Sequence, residues 1–215
     1  MSNEKFQDKY RIKSARATWH DYSGGAYFIT VCTKNYEHFF GEIIDTQMQY
    51  VELHATSLQK QTIQQPVIIQ LSPIGLFLAE KIKNITNHCP YAEIPLFVVM
   101  PNHWHAIVLI DGNCRDVACN VSTRTDKNEK MVEIAKRQSL LCFAVRSIKS
   151  AVTKFAHENG IDFAWQTRFH DHIIRDQNEM NRIADYIENN VANWNTDCYN
   201  ENNRRDGACP VSTNE

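Results

Sequence analysis

The apolar positions of the chain fall into short runs that carry two different periods. Residues 26–33 are almost continuously apolar or β-branched, the pattern of a strand buried on both faces. Residues 39–44 and 48–53 form a hairpin or edge pair around Asp45-Thr46-Gln47, and Val67-Ile68-Ile69 extends an edge strand. Ser72-Pro73 marks a helix start, a capping hydroxyl followed by proline at the first helical position. Ile74, Phe77, Leu78, Ile82 and Ile85 then recur near helical period until Cys89-Pro90. Residues 98–110 predict strand, turn, strand, with Pro101-Asn102 at the turn. A second helix, 139–158, places Leu141, Val145, Ile148, Val152 and Phe155 on one face and stops at Asn159-Gly160. Residues 163–175 are extended. Asp176 and Glu179 open a third helix, with Met180, Ile183, Ile187 and Val191 as its buried stripe. This order predicts an α+β domain: an antiparallel sheet with helices on one face.

The polar stretches set the limits of that domain. Residues 1–25 form an arm that mixes aromatics with four basic residues between positions 9 and 16. It would lie along a nucleic-acid backbone or pack on its own domain. Residues 26–196 make one domain, with an insertion at 54–70 and a polar linker at 111–137; residues 197–215 are a tail. Residues 115–123 and 205–213 match at seven of nine positions. Two copies without a core pattern point to a short inserted repeat, and the second copy should be dispensable for folding.

Charge and cysteine usage narrow the picture. A formal net charge of −2 argues against broad, non-specific coating of a duplex. It leaves room for a local track: Arg146, Lys149 and Lys154 share the polar face of the second helix, and no acidic residue occurs from Lys136 to His157. Such a face is either solvated or a phosphate track. The seven cysteines are scattered, with no C-x-x-C pair, which predicts reduced thiols. No long apolar run predicts a membrane span, and the polar N-terminus lacks a signal-peptide pattern, so a cytoplasmic location is expected.

The chemistry concentrates at His103-Trp104-His105. On a strand these two imidazoles share a face while Trp104 anchors the other. Two histidines two apart are commonly just a polar face. Within a β-branched strand, however, unpaired imidazoles are costly, and one metal ion would satisfy both. A second such pair, His170-Asp171-His172, has a charged centre instead of an apolar anchor and ranks below the first. On the third helix, Tyr186 lies one step off the buried stripe. Asn190 follows it by four residues and Arg182 precedes it by four, so all three share a side.

Residues 97–105, Phe97-Val98-Val99-Met100-Pro101-Asn102-His103-Trp104-His105, resemble the His-hydrophobic-His motif of single-tyrosine HUH transposases, and more narrowly of REP-associated tyrosine transposases. Asp185-Tyr186-Ile187-Glu188-Asn189-Asn190 matches the tyrosine and amide spacing of that family, and residues 163–175 resemble a family stretch near the active site. The resemblance spans about residues 10–194. The insertion, the linker and the bulk of Trp104 are departures from it.

What the resemblance implies is a ferredoxin-like or RRM-like HUH nuclease fold acting on single-stranded DNA, especially hairpin-forming repeats. His103, His105 and Asn190 would hold Mg²⁺ or Mn²⁺. Tyr186 would attack the scissile phosphate to give a 5′-phosphotyrosine. Arg146, Lys149, Lys154, Arg168, Arg175 and Arg182 are the candidate DNA contacts. The working assembly would be a monomer or a homodimer. Two other readings stay open. A non-catalytic RRM-like module would stack bases on Tyr27, Phe28 and Trp104. A hydrolase would use His103, His105, His170 and His172 with a water nucleophile.

Overall fold

A computed structural model describes residues 24–44, 67–112, 139–200 and 203. Most of the arm, residues 48–53, most of the insertion and linker, and both copies of the duplicated segment lie outside the described residues.

Four strands form the main antiparallel sheet: β1 (Gly25–Cys32), β4 (Ala92–Val99), β5 (His103–Ile110) and β6 (His170–Ile174), in the order β4-β5-β1-β6. β1 is central because it is apolar on both faces. It pairs with β5 from Gly25↔Ile110 to Cys32↔His103, and with β6 from Ala26↔Ile174 to Thr30↔His170. β4 is an edge strand. Its register against β5 shifts between Glu93 and Leu96, around Pro95, which has no N–H for a ladder bond.

A separate two-stranded sheet is built from the next two strands. β2 (Gly41–Ile44) pairs with β3 (Ile68–Leu71), the edge strand expected at Val67-Ile68-Ile69. Helix α1 (Pro73–Lys83) follows directly, with the Ser72 hydroxyl accepting from the Gly75 amide at 3.1 Å. Gly75 is needed there because a Cβ would collide with the Phe40 carbonyl. The helix stops at Lys83 and not near Cys89. A 3₁₀ turn, Ile85–Asn87, keeps Ile85 buried after Asn84 leaves helical geometry.

Helix α2 (Leu140–Glu158) is capped by Ser139 and closed by Gly160 at φ 67°. α1 and α2 cover one face of the sheet, burying Tyr27, Ile29, Val31, Trp104, Ala106 and Val108. Helix α3 (Gln177–Asn189) lies on the other face, where Ile183 and Ile187 pack on Phe28, Ile107 and Ile174. The α+β class and the antiparallel sheet are as expected, but the helices are not confined to one face. A central strand apolar on both sides requires a cover on each.

The chain also stays packed beyond residue 196. After a 3₁₀ turn, Trp194–Thr196, both Asp197 and Asn200 are buried, and Asn200 Nδ2 donates to the Trp194 carbonyl at 3.0 Å. The boundary drawn between domain and tail therefore falls inside a folded segment.

Candidate active site

The site begins where β5 leaves its turn. Met100 N donates to the His103 carbonyl at 2.8 Å, closing the Pro101-Asn102 connection so that His103 is the first residue of β5. Strand alternation then sends Trp104 into the α1–α2 core at 0% exposure, while His103 and His105 face the α3 side at 0% and 1%. Their Nε2 atoms lie 3.0 Å apart.

Each ring is oriented through its other nitrogen. His103 Nδ1 donates to Asn102 Oδ1 at 2.7 Å, and Asn102 Nδ2 in turn donates to the Tyr199 carbonyl at 2.9 Å. His105 Nδ1 is 2.8 Å from the Thr30 hydroxyl of the neighbouring strand. With both Nδ1 atoms protonated and bonded, both Nε2 lone pairs converge on one region, as two metal-ligating imidazoles require.

Helix α3 brings the other groups to the same region. Asp176 caps it, its Oδ1 accepting from Glu179 N at 2.9 Å. Glu179 accepts from His172 Nε2 at 2.7 Å and from Arg175 N at 2.8 Å, tying the helix start to β6. Two and a half turns later, the Tyr186 hydroxyl donates to His105 Nε2 at 3.2 Å. Tyr186 keeps 38% of its surface exposed, so the phenol stands between the histidines and solvent. Asn190, one turn further, is 2% exposed; its Oδ1 has no hydrogen-bond partner. Its side chain bonds to both Tyr186 and Asp197.

Asp197 was not anticipated from the sequence. Its Oδ2 lies 3.9 Å from His103 Nε2, and ligand atoms of His103, His105 and Asp197 all fall within 4.8 Å of one another. Among the described residues, this is the group of histidine, cysteine or acidic side chains that could hold a metal ion. Tyr199, also unanticipated, lies against His103 with ring centroids 4.4 Å apart.

Burial dominates the electrostatics. It holds His103 well below the usual histidine range, with His105 and His38 adding to the effect, and lowers His105 to about 3. Both imidazoles are therefore neutral, and the 3.9 Å approach of Asp197 is not an ion pair. Burial raises the Tyr186 phenol above its ordinary value, and the Asp197 charge raises it further. Asp197 is itself raised by burial, against the opposing bonds from Tyr199 N and Asn190. Neutral imidazoles, a carboxylate and an orphaned amide oxygen form a donor set that suits a divalent cation.

The proposed DNA contacts are distributed unevenly. Arg168, Arg175 and Arg182 are exposed on β6's flanks and on α3, the elements bordering the histidine face. The cations of α2 sit on the helix that covers the opposite face. Lys149 Nζ donates to the Gln166 carbonyl at 2.8 Å and lies over the Trp165 ring, and burial lowers its pKa. Lys154 pairs with Glu158 at 3.8 Å, so the one-sign stripe ends in a mixed pair.

The base-stacking reading loses its key groups, whereas the hydrolase reading keeps His103 and His105 without His170 and His172. Tyr27, Phe28 and Trp104 are each 0% exposed and offer no stacking surface to a base. His172 is bonded to Glu179 and stands outside the three-residue ligand group. The thiols depart in part from expectation: Cys32, Cys89 and Cys142 are free, whereas Cys198 is disulfide-bonded. Scattered cysteines carry no pairing pattern in sequence because folding sets their proximity.

The fold and site thus define an α+β protein with a buried His-His-Asp group beside a tyrosine. No family model matches the chain. It is 32% identical over 187 residues to an uncharacterized protein of Haemophilus influenzae, covering 86% of this chain and 91% of the other, and it belongs to the family of that protein. Among solved structures it is similar to a REP-associated tyrosine transposase bound to a REP hairpin, at 20% identity and a TM-score of 0.45, covering 85% of this chain and 74% of that one. A protein from Deinococcus radiodurans is similar at 13% identity and a TM-score of 0.33, over 83% and 97% of the two chains.

Proposed function

We propose that this protein is a tyrosine transposase of the HUH type, cleaving and rejoining single-stranded DNA at hairpin-forming repeats. The observation that carries the reading is the convergence of three atoms. The Tyr186 hydroxyl is 3.2 Å from His105 Nε2, itself 3.0 Å from His103 Nε2, although the tyrosine and histidines are far apart in sequence. The motif resemblance of residues 97–105 and 185–190 supports the same assignment.

The residues divide the work as follows. His103 and His105 would hold Mg²⁺ or Mn²⁺ with the Asn190 amide oxygen. Mg²⁺ and Mn²⁺ are the ions that the motif resemblance implies. When bound, the ion would polarise the phosphate and offset its developing charge. Tyr186 Oη attacks phosphorus, the bond to the 3′ oxygen breaks, and that oxygen leaves as a 3′-hydroxyl. The 5′-phosphotyrosine that results retains the phosphoester energy, so another 3′-hydroxyl can reverse the step. The raised phenol pKa means Tyr186 waits protonated and loses its proton only as the new bond forms. Arg168, Arg175 and Arg182 would hold the DNA backbone, and Arg146, Lys149 and Lys154 would serve a strand passing round to the α2 side.

The test is a denaturing gel of protein incubated with single-stranded hairpin DNA and Mn²⁺. A covalent adduct present in wild type and Tyr199→Phe but absent in Tyr186→Phe is expected. Cleavage that survives Tyr186→Phe would overturn the assignment.

A further inference from the structure

The motif resemblance implies three protein ligands for the ion, and all three lie before residue 191. We infer that Asp197 is a further carboxylate ligand of the same ion, and that binding it fastens residues 194–200 over the site. The inference rests on the metal-binding part of the function proposed above, not on its DNA chemistry.

Three independent observations support it. First, the Asp197 carboxylate reaches the cluster from outside the β5–α3 pair, with Oδ2 3.9 Å from His103 Nε2. That distance is too long for a hydrogen bond and fits two ligands sharing one ion. Second, Asn190 Oδ1 is buried without a partner, although the same side chain bonds to Asp197. An acceptor left bare beside a buried carboxylate marks a place where positive charge is missing. Third, the segment is built to present this residue. Trp194 is buried and lies 6.1 Å from the His103 ring, Tyr199 N donates to Asp197 Oδ1 at 2.8 Å, and the Tyr199 carbonyl accepts from Asn102. One carboxylate oxygen is thus bonded within the segment, and the other faces the histidines.

Asp197 changes the chemistry of the set. Two neutral imidazoles and an amide bring no charge, so the carboxylate supplies the anionic ligand that a hard divalent cation prefers. Four protein ligands still leave two positions of an octahedron for phosphate oxygens or water. The segment and the ion then stabilise each other, because each is bound more tightly when the other is in place.

The experiment is a Mn²⁺ titration of the full chain, following loss of the free-ion electron paramagnetic resonance signal. Wild type is compared with Asp197→Asn, which keeps the side-chain shape and removes the charge, and with His103→Ala. Asp197→Asn should bind Mn²⁺ on the order of tenfold more weakly. A loss of less than about threefold would overturn the inference. Hydrogen exchange of wild type supplies a readout independent of any variant's folding: Mn²⁺ should slow amide exchange across residues 194–200, and unchanged exchange there counts against the inference. If His103→Ala binds Mn²⁺ as well as wild type, it is the metal site of the proposed function that fails.

Discussion

Single residues decide the chemistry here through what they do to His103 and His105. Thr30 and Asn102 each bond to Nδ1 of one ring and so leave its Nε2 toward the site. His105 also bonds to the Ile29 backbone, so Thr30→Val, which preserves shape and removes the hydroxyl beside Nδ1, should lower Mn²⁺ affinity on the order of tenfold. Unchanged affinity would show that the Ile29 carbonyl alone orients the ring. The depressed imidazole pKa values give a second prediction. A histidine ordinarily titrates near 6.5, and His105 in the folded chain titrates near 3. The unfolded chain therefore takes up more protons as pH falls. The stability tied to the neutral pair is complete above about pH 6.5 and is lost progressively toward about pH 3. Asp197, with its raised pKa, works in the opposite sense but is one group against two. Melting temperatures recorded between about pH 7 and pH 4 should fall more steeply in wild type than in His105→Gln; parallel curves would remove the claim. Of these residues, the histidines, Tyr186 and Asn190 were legible from motif spacing. Thr30 and Asp197 were not: one looks like an ordinary β-branched strand residue, and the other is a lone acid in a polar stretch.

At the scale of elements, α3 is the one that can be loosened separately. It rests on a small cluster of Phe28, Ile107, Ile174, Ile183 and Ile187, whereas α1 and α2 share the large core. Asp176 holds its first turn, and Glu179 ties that turn to β6. Asp176→Ala should cost about 1 kcal/mol in denaturant melts. It should also raise amide exchange in α3 before the sheet is affected. Equal change throughout would mean that α3 is not an independent unit. The strands and helices themselves were legible because each carries a clear period and its own stop signals: Ser72-Pro73, Ser139, Asp176 and Gly160. Strand partners were less so. Residues 41–44 could have paired with any nearby apolar run, and register depends on contacts between segments remote in sequence.

At the scale of the molecule, the proposed cleavage belongs to a single chain. Tyr186 reaches His105 of its own chain at 3.2 Å, so one chain brings together the tyrosine and histidines of the proposed reaction. Mixing Tyr186→Phe with His103→Ala should therefore restore no adduct. Recovery of adduct in the mixture would show that tyrosine and histidines come from different subunits of a dimer. The sequence by itself determined the elements and the local signals: a two-face apolar strand, capped helices, an H-x-H pair with its inward tryptophan, and a tyrosine four residues before an amide. These follow from periodicity and neighbours along the chain. Tertiary structure alone decided that α3 crosses to the face opposite α1 and α2, that the α2 cations stand away from the histidines, and that Asp197 returns to them. Those facts depend on how two sheet faces are covered, and no local pattern encodes which distant segment covers which face.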